Sequence, residues 1–198
     1  IIRTFFMLSG GIKVEGRENI PKTGPAIIAP NHISFADPPL VGVTLPRYAW
    51  FIGTDELFTY PFLGPLARWM RGFPIRQDSA DRAAIRKAQD VLSQGDTLVL
   101  FPEGHVSKDG VLQPIQAGVM MIAMKSKAPI IPVAIFHTDD VMPPHTWKFR
   151  LFRHRVTIIY GKALYPDQIS GGLRGREGFD KGADRLKTAL EELLAIQP

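Results

Sequence analysis

The chain has 198 residues, 45% hydrophobic and 22% charged, with no cysteine and a formal net charge of +5. A chain this long buries roughly 70% of the surface it exposes unfolded, so it forms a core without staples and disorder is excluded. The missing cysteine excludes disulfides, thiolate metal sites and a cysteine nucleophile, while the basic balance points to anionic partners: acidic lipid head groups, nucleic acid or a phosphorylated carrier.

Ile1 to Leu8 is apolar but lacks the small-residue pattern of a cleavable leader. The segment 1–15 is read as a candidate membrane contact. The chain opens on isoleucine, which leaves room for upstream segments, spanning ones included. No apolar run approaches the roughly 18 residues of a membrane span. Ala26–Ala29 is a strand candidate, followed by a turn into a helix at Asp37-Pro38, a capping residue before a proline at the first helical position. Tyr48–Gly53 and Phe73–Arg76 read as further strands. Ser79 can cap a helix reaching Ser93, with Ala84, Ile85, Ala88, Val91 and Leu92 on one face and Gly95 as its stop. Thr97–Phe101 is a strand, Ala117–Lys127 a helix, and Ile130–Phe136 and Val156–Tyr160 are strands rich in β-branched residues. Trp147–Arg155 mixes aromatics with cations, a composition suited to an anionic lipid interface or to an exposed basic strand. The last helix, over 179–196, repeats Ala183, Leu186, Leu190, Leu193 and Leu194 at helical spacing. With no repeat and no linker, the expectation is one α/β domain over 1–198, with a mixed, mostly parallel sheet flanked by helices.

Three loops carry residues able to do chemistry. In Asn31-His32-Ile33-Ser34-Phe35-Ala36-Asp37, an imidazole precedes a carboxylate by five residues across a turn. Such a pair forms a base held by an orienting acid; the plain alternative is a loop histidine and a helix cap. Phe101-Pro102-Glu103-Gly104-His105 follows a strand and offers a carboxylate beside a glycine that admits close approach. Gly72-Phe73-Pro74-Ile75-Arg76, with Arg68 and Arg71 before it, offers guanidinium groups suited to phosphate. If the strands run parallel, these loops leave from one edge.

In this order and spacing the segments resemble the glycerolipid acyltransferase family. Asn31 to Asp37 is similar to its Asn-His-x-Ser-x-x-Asp motif, Gly72 to Arg76 to its second, Phe101 to Gly104 to its Phe-Pro-Glu-Gly motif, and Ile131-Pro132-Val133 to its fourth. The resemblance covers roughly Gly16 to Tyr165 and implies transfer of a fatty acyl group from acyl-CoA or acyl carrier protein to the hydroxyl of lysophosphatidic acid. It implies His32 as general base with Asp37 orienting it. Arg76 would hold the acceptor's phosphate, Glu103 and Gly104 its polar head, with Asn31, Ser34 and Lys108 also among the substrate-binding residues. Backbone amides near Phe73–Arg76 or near Gly104 are candidates for the oxyanion. Where the family continues Thr-Arg-Ser, this chain reads His105-Val106-Ser107, so Arg76 or Lys108 would have to compensate, or the acceptor is another lyso-lipid.

No resident cofactor or metal is called for. The expected partners are a phospholipid surface, the thioester carrier and the lyso-lipid acceptor, with the protein peripheral or monotopic on the cytoplasmic face of the membrane. Nucleic acid is not expected, for want of a recognisable motif. Two other classes use the same residues: a metal-dependent hydrolase ligated by His32, Asp37, Glu103 and His105, and a non-catalytic binding module. Phe58, Tyr60, Phe62, Leu63, Leu66, Trp69 and Met70 could line an acyl groove or be plain core.

Overall fold

Short aliphatic runs separated by amphipathic helices pair into one sheet. The structure is a computed structural model and describes residues 11–61, 63–76, 81–143, 150 and 155–198. Its strands are β1 (Ile12–Glu15), β2 (Ala26–Pro30), β3 (Ala49–Thr54), β4 (Gly72–Ile75), β5 (Thr97–Val99), β6 (Ile130–Phe136) and β7 (Val156–Tyr160). They lie in the order β1-β7-β6-β2-β5-β3-β4. Every pairing is parallel except β6 with β7, which is antiparallel. The helices are α1 (Asp37–Thr44), α2 (Leu63–Trp69), α3 (Arg82–Ser93), α4 (Ala117–Ser126), α5 (Thr138–Val141), α6 (Pro166–Ile169) and α7 (Gly175–Leu194). This is the mixed, mostly parallel α/β sheet that the sequence implies.

Successive strand residues face opposite sides, and both sides are covered. Ile28, Val99, Ile131 and Val133 pack in one cluster with Leu40 and Val41 of α1. Ile27, Ala29, Leu98 and Ile130 pack in the other, with Ala88 and Val91 of α3, Met120 and Ile122 of α4, and Leu186 and Leu190 of α7. Each fully buried Ile or Leu stabilises the fold by roughly 1.5–3 kcal/mol. The central strand β2 is buried at all its residues, so the loop leaving it starts from the buried centre of the sheet. Gly182 lets α7 press against α4: a Cβ there would lie 2.3 Å from Met120 Cε.

Several local expectations are corrected. The cap of α3 is Asp81, whose Oδ1 accepts the Ala83 and Ala84 amides at 3.1 Å each; Ser79 lies outside the described residues. Ala36 takes the N-cap position of helix α1 without a side-chain cap bond, and the Asp37 side chain turns back toward the preceding loop. The C-terminal helix begins at Gly175 rather than 179; its first turn holds Gly175 and Gly178 and shows no apolar period that would mark it in the sequence. Ile12–Glu15, inside the proposed membrane-contacting stretch, forms edge strand β1 against β7. Residues 1–10, Phe62 and all of Trp147–Arg155 except Arg150 and Arg155 lie outside the described residues. No helix among those described is long and apolar enough to cross a membrane.

Candidate active site

Because β2, β5, β3 and β4 are mutually parallel, the loops after β2, β5 and β4 leave from one edge. His32 follows β2 and Glu103 follows the adjacent β5, whereas Arg76 follows β4, three strands away. At about 4.8 Å per strand, Arg76 starts roughly 14 Å from His32 along that edge.

At the corner between β2 and β5 the chain is tied down at almost every polar atom. Asn31 donates its amide to Val133 O, and its side chain then continues the ladder: Nδ2 donates to Ile135 O at 3.2 Å and Oδ1 accepts the Ile135 N–H at 2.7 Å. Ser34 Oγ donates to Met142 O at 2.7 Å and accepts the Ala36 N–H at 3.1 Å. Both residues are buried and face backbone. Their part in the site is to fix the course of the loop.

Asp37 is fully buried, and one oxygen carries the geometry. Oδ2 accepts the Ile33 and Ser34 amides at 2.8 Å each and lies 2.8 Å from His32 Nδ1. An oxygen already accepting two N–H bonds leaves the proton of the third contact on Nδ1, so Nε2 is the basic nitrogen. Asp37 Oδ1 has no partner among the described residues. The imidazole is 12% exposed and stacks on the Phe101 ring, centroids 3.9 Å apart at 25°. Stacking fixes the plane of the ring and the Asp37 bond fixes its rotation.

Glu103 braces the same loop. It is 1% exposed; Oε1 accepts the His32 N–H at 2.7 Å and Oε2 the Gln113 N–H at 2.8 Å. Ser107 N–H donates to His32 O at 2.7 Å, so both backbone groups of His32 are held by the loop after β5. Burial pushes the Glu103 carboxyl above its ordinary value, against the lowering effect of the Gln113 and His32 amides and of the His32 and His105 charges. Gly104, with φ +80, occupies the left-handed conformation that a side chain would strain. Its amide donates to Phe101 O at 3.1 Å and that of Arg76 to Asp81 Oδ2 at 3.0 Å. Neither of these two amides is therefore open to an oxyanion.

The remaining residues lie farther out. Lys108 and His105 are exposed on the loop after β5. Val106, which stands where the family carries an arginine, is buried in the core. The Arg76 side chain is 71% exposed, with Nε 3.5 Å from Asp81 Oδ2. Arg68 and Arg71 sit at the opposite end of β4, over aromatic rings: Arg68 over Phe58 at 5.6 Å, Arg71 over Tyr48 at 5.3 Å and Trp50 at 5.8 Å. Among the described residues no three His, Asp or Glu side chains converge as a metal ion requires. The arrangement supplies one oriented proton acceptor, His32 Nε2, beside a cationic rim.

Residues 11–136 match the Acyltransferase family. The chain is 26% identical over 193 residues to the 1-acyl-sn-glycerol-3-phosphate acyltransferase of Bacillus subtilis strain 168, covering 97% of this chain and 92% of that one. It is 30% identical over 156 residues to the chloroplastic 1-acyl-sn-glycerol-3-phosphate acyltransferase BAT2 of Brassica napus, covering 77% of this chain and 44% of that one. Among solved structures it resembles the 1-acyl-sn-glycerophosphate acyltransferase PlsC of Thermotoga maritima, with TM-score 0.74, 31% identity and coverage of 98% and 77%. The chain thus spans nearly the whole bacterial relative and less than half of the plant one.

Proposed function

The chain belongs to the Acyltransferase family, and from that membership we propose that it moves a fatty acyl group from acyl-CoA or acyl carrier protein to the free hydroxyl of 1-acyl-glycerol-3-phosphate, giving phosphatidic acid. The reading is carried by His32 Nδ1 held 2.8 Å from the buried Asp37 Oδ2, which leaves Nε2 as a base. It is supported by the activity for which the bacterial and plant relatives are named.

The acceptor oxygen attacks the thioester carbon while its proton passes to Nε2. The tetrahedral intermediate collapses with cleavage of the C–S bond, and the departing thiolate takes the proton back from the imidazolium. Asp37 steadies that imidazolium. A thiol, with pKa about 8.5, needs no strong acid to leave, so no second carboxylic acid and no resident cofactor is invoked. Arg76 takes the acceptor's phosphate, with Lys108 as a second cation, and Gly104 admits close approach of the substrate. Because the acceptor is a bilayer lipid, the enzyme works at the membrane surface, on its cytoplasmic face, as a peripheral or monotopic protein.

A second acceptor is favoured by one observation. Val106 is buried, so the loop after β5 offers no guanidinium at that position, and a lyso-lipid without a phosphomonoester is the corresponding alternative. Transfer assays in vesicles with a long-chain acyl thioester and a panel of lyso-lipids decide both points. Lysophosphatidic acid should be acylated fastest, with free thiol released in equal amount. Preference for another lyso-lipid overturns the acceptor assignment; no transfer to any acceptor overturns the reaction.

A further inference from the structure

A depression beside the sheet edge lies beyond the corner that holds His32. It has a volume of about 520 Å³ and is lined by Arg76, Asp81, Arg82, Ala83, Arg86, Lys87 and Asp90, a size usual for a small-molecule site. Four of the seven lining residues are cations. Asp81 is engaged locally: its two oxygens accept the Arg76, Ala83 and Ala84 amides, and the Arg76 and Ala84 amides do most to hold its carboxyl below the usual range. Arg82 and Arg86 stand four residues apart on one face of α3, and both are exposed. Lys87 is placed by the Trp50 ring, its Nζ 4.8 Å from the centroid. Asp90 is the remaining opposing charge. Such a basin suits a compact ligand bearing several phosphates.

We propose that Arg82, Arg86 and Lys87 bind the phosphates of coenzyme A, so that the donor's nucleotide end sits over α3 while its thioester reaches His32. The inference rests on the thioester donor of the proposed reaction. Reach decides which anion belongs here. The edge separation of roughly 14 Å, with Arg86 about 6 Å from Arg82 along a helix that runs back from that edge, puts the basin about 15 Å from His32. The pantetheine arm, with about 13 bonds from sulfur to the first phosphorus, spans roughly 16 Å at the ~3.6 Å per three bonds of an extended chain. The acceptor's phosphate is only about four bonds from the reacting hydroxyl, so it cannot be held by Arg86 while that hydroxyl sits at His32. Arg76, with its Nε 3.5 Å from Asp81 Oδ2, stands between the two anions.

The test uses adenosine 3′,5′-bisphosphate, the nucleotide end without the arm, titrated calorimetrically into wild type and Arg82→Ala/Arg86→Ala. Both side chains are exposed, and an unchanged melting temperature verifies the fold. Wild type should bind the probe, and the double variant should bind it on the order of tenfold or more weakly. In transfer assays the variant's KM for acyl-CoA should rise by a similar factor while its KM for the acceptor holds. The ratio of kcat/KM for acyl-CoA over acyl-phosphopantetheine, which lacks the nucleotide, should fall toward one. Equal probe binding by both proteins, or none by wild type, overturns the proposal. So does a loss confined to acyl carrier protein as donor, to the acceptor's KM, or to binding of phosphatidylglycerol vesicles. If the probe binds as expected but no donor supports transfer, the reaction assignment fails and the nucleotide-phosphate site stands.

Discussion

The corner that holds His32 and the rim that holds Arg76 share one sheet edge and are built on opposite principles. At the corner, Asn31, Ser34, Asp37 and Glu103 are all buried, and their contacts run largely to backbone N–H and C=O groups. At the rim, Arg76, Arg82, Arg86 and Lys87 reach into solvent from a helix start and a strand end. Proton transfer needs a base placed to within a few tenths of an ångström, which buried bonds to a parallel sheet provide. Holding a phosphate needs charge and reach, which long exposed side chains provide. Substitution at the corner should therefore cost rate and stability together, whereas substitution at the rim should cost affinity alone.

The largest expected effect is at the base. His32→Ala should lower kcat by roughly 10²–10⁴-fold with little change in acceptor KM, measured by acyl transfer in vesicles. Asp37→Asn should lower kcat within the same range, because Oδ2 organises the ring and two amides at once. It should also lower the denaturation midpoint. An Asp37→Asn protein that keeps full rate would remove Asp37 from the mechanism.

Glu103→Gln comes next and tests whether this carboxylate is a brace. Both oxygens accept N–H bonds, from His32 and Gln113, so a glutamine must turn its NH₂ toward one of those donors. A buried donor left unpaired costs about 1–3 kcal/mol. The expected outcome is that loss of stability in urea titration with a reduced kcat, since the His32 amide moves with it. A changed acceptor KM with unchanged stability would instead return Glu103 to the polar head group.

Arg76→Lys should leave stability within about 0.5 kcal/mol, as for exposed positions generally, because the side chain is 71% exposed. Its acceptor KM should rise several-fold through loss of bidentate phosphate binding. Unfolding together with loss of affinity would break the contrast between corner and rim.

What the sequence disclosed follows the same division. The β-branched runs, their order and the His32–Asp37 pair were legible because strand burial and the turn motif are local patterns. The roles of Asn31 and Glu103 were not, since their partners Ile135 and His32 stand 104 and 71 residues away. The Asp81 cap was not legible, because only the fold brings the Arg76 amide to the same carboxylate. Strand β1 is four residues long and shows little alternation, so it is defined by its partner β7. Arg82 and Arg86 did carry a signal, the four-residue spacing on the exposed face of α3, but a solvated helix face presents the same one.

The smallest effects should separate corner from rim by sign. Glu103 is raised above its ordinary 4.5, chiefly by burial, so between that value and its folded value the native state holds more protons than the unfolded chain. Its contribution is then fully present below 4.5 and is lost as pH rises through the folded value. Asp81 is lowered below 3.8, chiefly by the Arg76 and Ala84 amides. Its contribution is present above 3.8 and is lost as pH falls through the folded value. Measured by denaturant titration from acid to neutral pH, the deficit of Glu103→Gln should therefore shrink as pH rises, and that of Asp81→Asn should grow. Parallel trends in the two variants would mean that burial does not govern Glu103, and that the corner is wetter than its hydrogen bonds imply.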